Sequence, residues 1–513
     1  MRNASSEWTR LQGRRRGLEK RWEKYASFTL PRLYTDERWD EDTDELAHDW
    51  QSVGAQAVNH VVNKMMLALF APSRPFMRLE ADAKWLATLP PGLDKSKIDE
   101  ALSQAELEAV KAMDGIQGTR AKLYLALANL VALGNVCMHL PKEKGKPPRI
   151  YNVAQYVVRR TGTGDLKQAI IRECLAFDEL EPKVQAAVRN GSEGSRYQPD
   201  TKVEYFRQIC RNDRGGYELY QYVDKVKLGA EFEGRWADEA SLEWRFLTWN
   251  LKDGNNYGTG LVEDYAADFG GLSTLSEAQI KGAVLASEFR WLVNPAGMTK
   301  VEDLENSENG AALPGQEGDV SLVANSKPGD LAVVGNVVQD YIGRIGRGFL
   351  LGSATTRDAE RVTAAEIRMQ AQELETSFGG TYSSIAVGMQ LPLSRWLLRN
   401  VNLDVNGTQL KITIVTGLDA LSRSGDLDNL RAALQDLAQV GMIKQAVPEL
   451  NRRAVTAAIF AGHGLPTSKY LLSDEQVAAE QQAAQQAAIN AQTASEAATA
   501  GVQAGIEQGQ QTQ

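Results

Sequence analysis

The stretch TAAEIRMQAQELETSFGGTYSSIAVGMQLPLSRWLLRN, Thr363 to Asn400, sustains a helical pattern over its whole length. Thr363 and Glu366 stand at the spacing of a capping box, in which each side chain accepts from the other's backbone N–H. Apolar residues then recur at Ile367, Ala371, Leu374, Phe378, Tyr382, Ile385, Met389, Leu393 and Trp396. Steps of three and four residues keep one helix face buried. The stripe stays in phase across Gly379-Gly380, although each glycine costs roughly 1 kcal/mol against alanine in a helix. The pattern therefore predicts one long helix, bent at Gly379-Gly380 and again near Pro392. At about 1.5 Å per residue it would reach on the order of 50 Å, enough to span a domain layer or an assembly.

The chain around it has 513 residues, ample for several domains and a large core. Its 43% hydrophobic and 24% charged residues are ordinary for a globular protein. It contains no apolar run long enough to predict a membrane span. The N-terminus is polar and basic without a following apolar core, so it does not read as a secretory signal. Cys137, Cys174 and Cys210 have no metal-ligand spacing, and an odd count suits a reducing compartment better than a disulfide framework. A net charge of −9 speaks against a conventional basic DNA-binding surface. It is compatible with a channel, whose acidic lining would keep DNA from sticking, because affinity for DNA is mainly electrostatic.

In chain order, residues 7–27 predict one helix with Trp8, Leu11, Leu18, Trp22 and Tyr25 on one face. Arg10, Arg14, Arg15, Arg16, Lys20, Arg21 and Lys24 fill the rest, either as an anion contact or as a solvated face. Asp36–Asp49 holds eight carboxylates but lacks the central glycine of a calcium loop, so it reads as solvated. Gln51–Phe70 predicts an amphipathic helix with Val53, Ala57, Val61, Met65 and Leu69 in line and His60 as a structural histidine. Helices follow at Asp94–Met113 and Gln117–Leu133, the second ended by Gly134. Hairpins are expected at Tyr156–Arg160 with Gln168–Arg172, and at Tyr205–Cys210 with Tyr217–Val223. Trp244–Trp249 is a further strand, which makes the middle of the chain α+β.

Leu275–Phe289 predicts a short helix, 294–328 an acidic, loop-rich unit, and Asp330–Leu350 a returning helix. Gly343-Arg344-Ile345-Gly346-Arg347-Gly348 lacks the Lys-Ser/Thr of a phosphate loop. Its glycines are read as allowing close helix packing or a bend, and Arg344 and Arg347 share a face that could meet phosphates or a neighbour's carboxylates. Val405–Val415 predicts a strand, Asp426–Val440 and Asn451–Ala461 helices, and the Ala/Gln-rich tail from Asp474 a helix with little to bury.

ATTRDAERVTAAEIRMQAQELETSFGGTYSSIAVGMQLPLSRWLL and QSVGAQAVNHVVNKMMLALFAPSRPFMRL resemble the two signature blocks of the head-to-tail connector (portal) proteins of short-tailed bacteriophages. GTGLVEDY, FRWLVNPAGMT and TGLDALSRSGDLDNL fit as well, and the resemblance runs from about Trp8 to Tyr470. It implies a mainly α, α+β portal fold: wing 1–273, stem helix 274–289, clip 290–328, stem helix 329–351, channel loop 352–362, long bent helix and wing strand 363–419, crown 420–475 and tail 476–513. It further implies a homo-oligomeric ring, dodecameric in that family, at one capsid vertex of the virion, assembled in the host cytoplasm. Double-stranded DNA would pass through it under a terminase motor. Scaffolding and major capsid proteins, tail or adaptor proteins, and internal core proteins at the crown would be partners. In that family the loop before the long helix projects into the channel. Arg357 and Arg361 thereby become candidates to touch DNA, alongside Arg344 and Arg347, with pairing to Asp358 or Glu360 as the even alternative.

No phosphate loop, H-E-x-x-H or G-x-S-x-G occurs, and Cys137-x-His139 has no partner pair for zinc. No enzymatic activity, cofactor, metal or membrane contact is expected. Without the resemblance, another oligomeric scaffold or a nucleic-acid-processing enzyme would be the competing readings.

Overall fold

The computed structural model describes residues 3–35, 43–71, 75–81, 95–190, 196–287, 289–308, 310–324, 328–351, 372–403, 405, 410–414 and 435. The chain divides into two compact units, Met1–Gly417 and Leu418–Gln513, and all described residues but 435 lie in the first. The capping pair Thr363 and Glu366, the loop with Arg357 and Arg361, Ile367 and Ala371 lie outside the described residues. So do the whole tail and almost all of the crown.

The N-terminal half begins with α1 (Ala4–Arg14), α2 (Arg16–Phe28), α3 (Val53–Leu69), α4 (Lys95–Gly115) and α5 (Thr119–Leu133). The stripe on α3 is core as expected: Ala57, Val58, Val61, Val62, Met65 and Leu69 are buried, and α3 packs on α5. Each such Val, Leu or Met side chain contributes roughly 1.5–3 kcal/mol by leaving water. Tyr124 Oη donates to Asn59 Oδ1 at 2.6 Å across that contact. Helix α5 ends at Gly134, whose φ of 74° is left-handed and whose missing Cβ lets the Thr259–Gly260 backbone pass against it.

The single helix expected over 7–27 is two. Arg15 leaves the helical region at φ −107° and ψ 8°. Its guanidinium enters the core, donating to Val153 O at 2.8 Å and Tyr156 O at 2.6 Å, with Glu19 at 3.0 Å. Arg15 thus lies on no solvated face, whereas Arg14, Arg16, Lys20, Arg21 and Lys24 are exposed. A buried cation reads as a surface residue in any helical projection, because its carbonyl partners lie more than a hundred residues away.

Strands β1 (Met77–Ala81), β2 (Asn135–His139), β3 (Arg149–Tyr151), β4 (Tyr156–Arg160) and β5 (Leu166–Ala176) come next, then α6 (Pro182–Arg189). After α6 come β6 (Lys202–Arg211), β7 (Tyr217–Val223), β8 (Val226–Lys227), β9 (Gly234–Trp236) and β10 (Trp244–Thr248). Both expected hairpins form, antiparallel, with Tyr156 opposite Ile171 and Tyr205 opposite Val223. They join in the order β4-β5-β6-β7-β8, with β9 also on β7. Alternate residues face opposite ways. Val157, Ile170, Phe206 and Tyr222 meet Trp8 and Leu11 of α1, while Tyr156, Val158, Ala169, Ile171 and Ile209 join the main core. Burial on both faces explains the unbroken apolar runs in β4 and β5. A second sheet orders β10-β2-β3.

Helices α7 (Leu261–Asp264) and α8 (Ala266–Ser287) lead to β11 (Phe289–Val293), α9 (Val301–Glu305), β12 (Val320–Ala324) and α10 (Pro328–Gly348). The helix expected to start at Leu275 starts at Ala266 because Gly270 and Gly271 are helical, Gly271 lying against Tyr341. It ends before Phe289, and the loop-rich unit contains an antiparallel strand pair, Phe289 opposite Ala324, where only loop was expected. Gly343–Gly348 is helical, and among its glycines Gly348 is the one against which an aromatic ring, Tyr265, packs.

The long helix is broken rather than bent at Gly379. Residues 372–378 are helical, Gly379 adopts φ 54° and ψ −138°, and α11 (Gly380–Asn400) starts anew. The apolar stripe survives: Leu374, Tyr382, Ile385, Met389, Leu393 and Trp396 are buried. Pro392 sits inside α11 and the helix continues through it. Strand β13 (Leu410–Ile414) fulfils the core of the expected strand and pairs antiparallel with β1, Met77 opposite Ile414.

Candidate functional site

Helices α8 and α10 lead into and out of the small β unit, and α10 carries the two described arginines singled out by sequence. Their facing pairs run in opposite chain directions: Tyr265 against Gly348, Asp268 with Arg344, Gly271 under Tyr341, Gln279 near Gly335. The pair is therefore antiparallel. At its base Phe269 stacks on Phe28 at 6.2 Å and meets Phe349 edge-on at 5.6 Å, anchoring both helices in the main core. Beside them His60 Nε2 lies 2.9 Å from the Leu350 carbonyl, the structural role expected for it. Away from the base the same helices expose Ile280, Val284, Leu285, Val333 and Val337.

Arg344 Nη2 pairs with Asp268 Oδ1 at 3.2 Å, and its guanidinium lies 4.2 Å over the Tyr341 ring. The carboxylate it meets is its own chain's, and half of its side chain remains exposed. Arg347, one turn on, is exposed. The two arginines thus share one helix face but differ in freedom. The sequence missed Asp268 and Tyr341 because the pairing joins two helices separated by the whole β unit. Arg357 and Arg361 cannot be placed beside them, since they lie outside the described residues.

The β unit is held by one carboxylate. Asp319 accepts from the backbone N–H groups of Met298 and Gln316, each at 3.0 Å, and from Thr299 N at 3.4 Å. These bonds hold its carboxyl below the usual range. Gly297 and Gly315 leave room for this carboxylate and for Thr299. The acidic run thus contains a structural aspartate, while Trp291, Leu292, Met298 and Val301 around it are exposed.

On the other side of the base, Lys64 is buried and pairs with Glu373 at 2.9 Å, just before the Gly379 break. Gln390 Nε2 donates to Leu69 O at 2.6 Å. These contacts seat both helical segments flanking Gly379 on α3. Among the described residues no cluster of His, Cys, Asp and Glu could hold a metal ion, and no helix is long and apolar enough to cross a membrane.

A family profile described as "Bacteriophage head to tail connecting protein" matches residues 1–471. The chain is 33% identical over 489 residues to the "Portal protein" of Enterobacteria phage T3, covering 93% of this chain and 89% of that one. It is equally 33% identical over 488 residues to the "Portal protein" of Escherichia phage T7, covering 92% and 89%. For the "Portal protein" of Enterobacteria phage SP6 the figures are 32% over 449 residues, covering 87% and 85%.

Proposed function

Because the chain belongs to the family of bacteriophage head to tail connecting proteins, we propose that it works as a ring whose channel passes the viral genome. It is a viral portal protein, a structural component of the virion at the junction of head and tail. The observation that carries this is kinship along nearly the whole chain rather than in one motif.

In our reading α8 and α10 are the stem and the Asp319-centred β unit is the clip, which meets a terminase motor and later the tail. Twelve copies, the family's number, close the ring through heterologous contacts, one patch meeting a different patch on the next copy. Scaffolding and major capsid proteins surround it in the host cytoplasm during assembly, and internal core proteins sit at the crown. Exposed Arg347, with Arg357 and Arg361 in the preceding loop of the long helix, offers passing phosphates a ring of cations. The chain's overall net charge of −9 keeps DNA from adhering. The motor's ATPase is a separate protein.

Electron microscopy of the purified chain without DNA or nucleotide tests the ring. Rings with an axial hole wide enough for duplex DNA are expected, and a closed oligomer without such a hole overturns the reading. Deleting residues 352–358 tests the channel loop. Rings should persist while DNA packaging or retention fails, and loss of the ring itself would refute the assignment.

A further inference from the structure

Two clefts open along the seam between the N-terminal helices and the six-stranded sheet. The larger, about 450 Å³, is lined by Arg10, Arg159, Lys167 and Arg211, with Gln208 and the carboxylate of Glu7. The smaller, about 290 Å³, shares Arg159 and adds Arg14 and Arg21. Most local acid is already engaged. Glu7 is held by Arg10 through both oxygens, and Arg21 by Glu263 at 2.7 Å. Arg211 reaches Asp165 at 3.7 Å. Arg159, shared by both clefts, and Lys167 make no ion pair among the described residues. In a chain of net charge −9 this concentration of cations marks a place for something anionic.

The occupant should therefore bring anionic oxygens for Arg159 and Lys167. A nucleic-acid strand would also want an aromatic platform. The aromatic of the smaller cleft, Tyr257, has Arg15 over its ring at 5.6 Å and Trp22 edge-on at 5.2 Å, so its ring is taken. A peptide rich in aspartate and glutamate supplies carboxylates that match guanidinium geometry. We propose that this seam is the docking site for an acidic peptide segment of a protein partner.

The test is fluorescence anisotropy with the full chain and a fluorescein-labelled peptide of repeating Asp-Glu-Gly. Saturable, salt-sensitive binding is expected. Arg159→Glu with Lys167→Glu should weaken it at least about tenfold, which is about 1.4 kcal/mol. Arg159→Gln with Lys167→Gln, which removes both cations without introducing carboxylates into the fold, should weaken it in the same direction. No saturable binding, or binding unchanged in the neutral double variant, overturns the proposal. Tighter binding of a single-stranded oligonucleotide, lost in the same variants, would make the seam a nucleic-acid site and also overturns it.

Discussion

Arg15 sits between the end of α1 and the start of α2, and it is buried there. A guanidinium carries donors in a rigid fork and stays protonated at any depth, so burying it requires acceptors on several sides. Val153 O, Tyr156 O, Tyr257 Oη and Glu19 supply them, while Trp8 and Trp22 lie against its planar faces. Arg15→Met keeps the volume but strands two carbonyls, at about 1–3 kcal/mol for each left unsatisfied. A melting temperature lowered well beyond that of Arg16→Met, an exposed control, is the expected result. Two histidines make a second residue-level prediction. Burial, with Lys64 nearby, lowers the His60 pKa, and burial outweighs Glu243 in lowering that of His139. Both are therefore neutral in the fold and take up protons on unfolding. Stability should fall as pH drops below about 6.5, the ordinary imidazole value. Melting followed from about pH 7.5 to about 5.5 should show this decline, and His60→Gln with His139→Gln should flatten it. The lowered carboxylates Glu173 and Glu243 lose their contribution only at more acid pH, outside that window.

At the scale of elements, the break at Gly379 separates what sequence can report from what it cannot. An apolar stripe in phase on both sides of Gly379-Gly380 reports that both segments bury the same side, and they do. It does not report whether the backbone between them remains helical, because a left-handed glycine can restart a helix in nearly the same phase. Gly379 adopts φ 54° and ψ −138°, and a methyl group added there would meet nothing within 4 Å, so its constraint is backbone conformation alone. Gly379→Ala should therefore destabilise by about 1–3 kcal/mol. Gly380→Ala, inside α11 with equal space, should stabilise by up to about 1 kcal/mol. Thermal melts of the two variants should move in opposite directions. The same division of information holds elsewhere. Hairpins with turn-rich connections were legible, and so were the periodic faces of α3 and α11. The β11–β12 pair was not, since its partners are separated by the unit that Asp319 organises, and the Arg344–Asp268 contact was hidden for the same reason. Asp319→Ala tests that organisation directly. Hydrogen exchange should accelerate at Met298, Thr299 and Gln316 while amides of α3 and α5 stay protected.

At the scale of the whole molecule, most of the exposed large apolar residues lie on α8, α10 and the β unit between them. Val284 is 55% exposed, Leu285 52%, Val333 63% and Trp291 54%, all on α8, α10 or the strand between them. Single exposed hydrophobics are normal on any surface, but a run along two adjacent helices and their connecting unit marks an interaction face. The bases of those helices are tied to the core by Phe269 and Phe349. A closed head-to-tail ring would cover it with the next copy, and the hydrophobic surface removed from water would contribute to closure. The prediction separates folding from assembly. Val284→Asp with Val333→Asp introduces charges at positions already in water, so the melting temperature of the unassembled chain should hardly move. Desolvating those two carboxylates at a subunit contact should instead abolish ring formation. Sedimentation velocity of the variant beside the unmodified protein reads this directly: loss of the ring peak with an unchanged melt places the subunit contact on α8 and α10, whereas rings that persist would move it to another face.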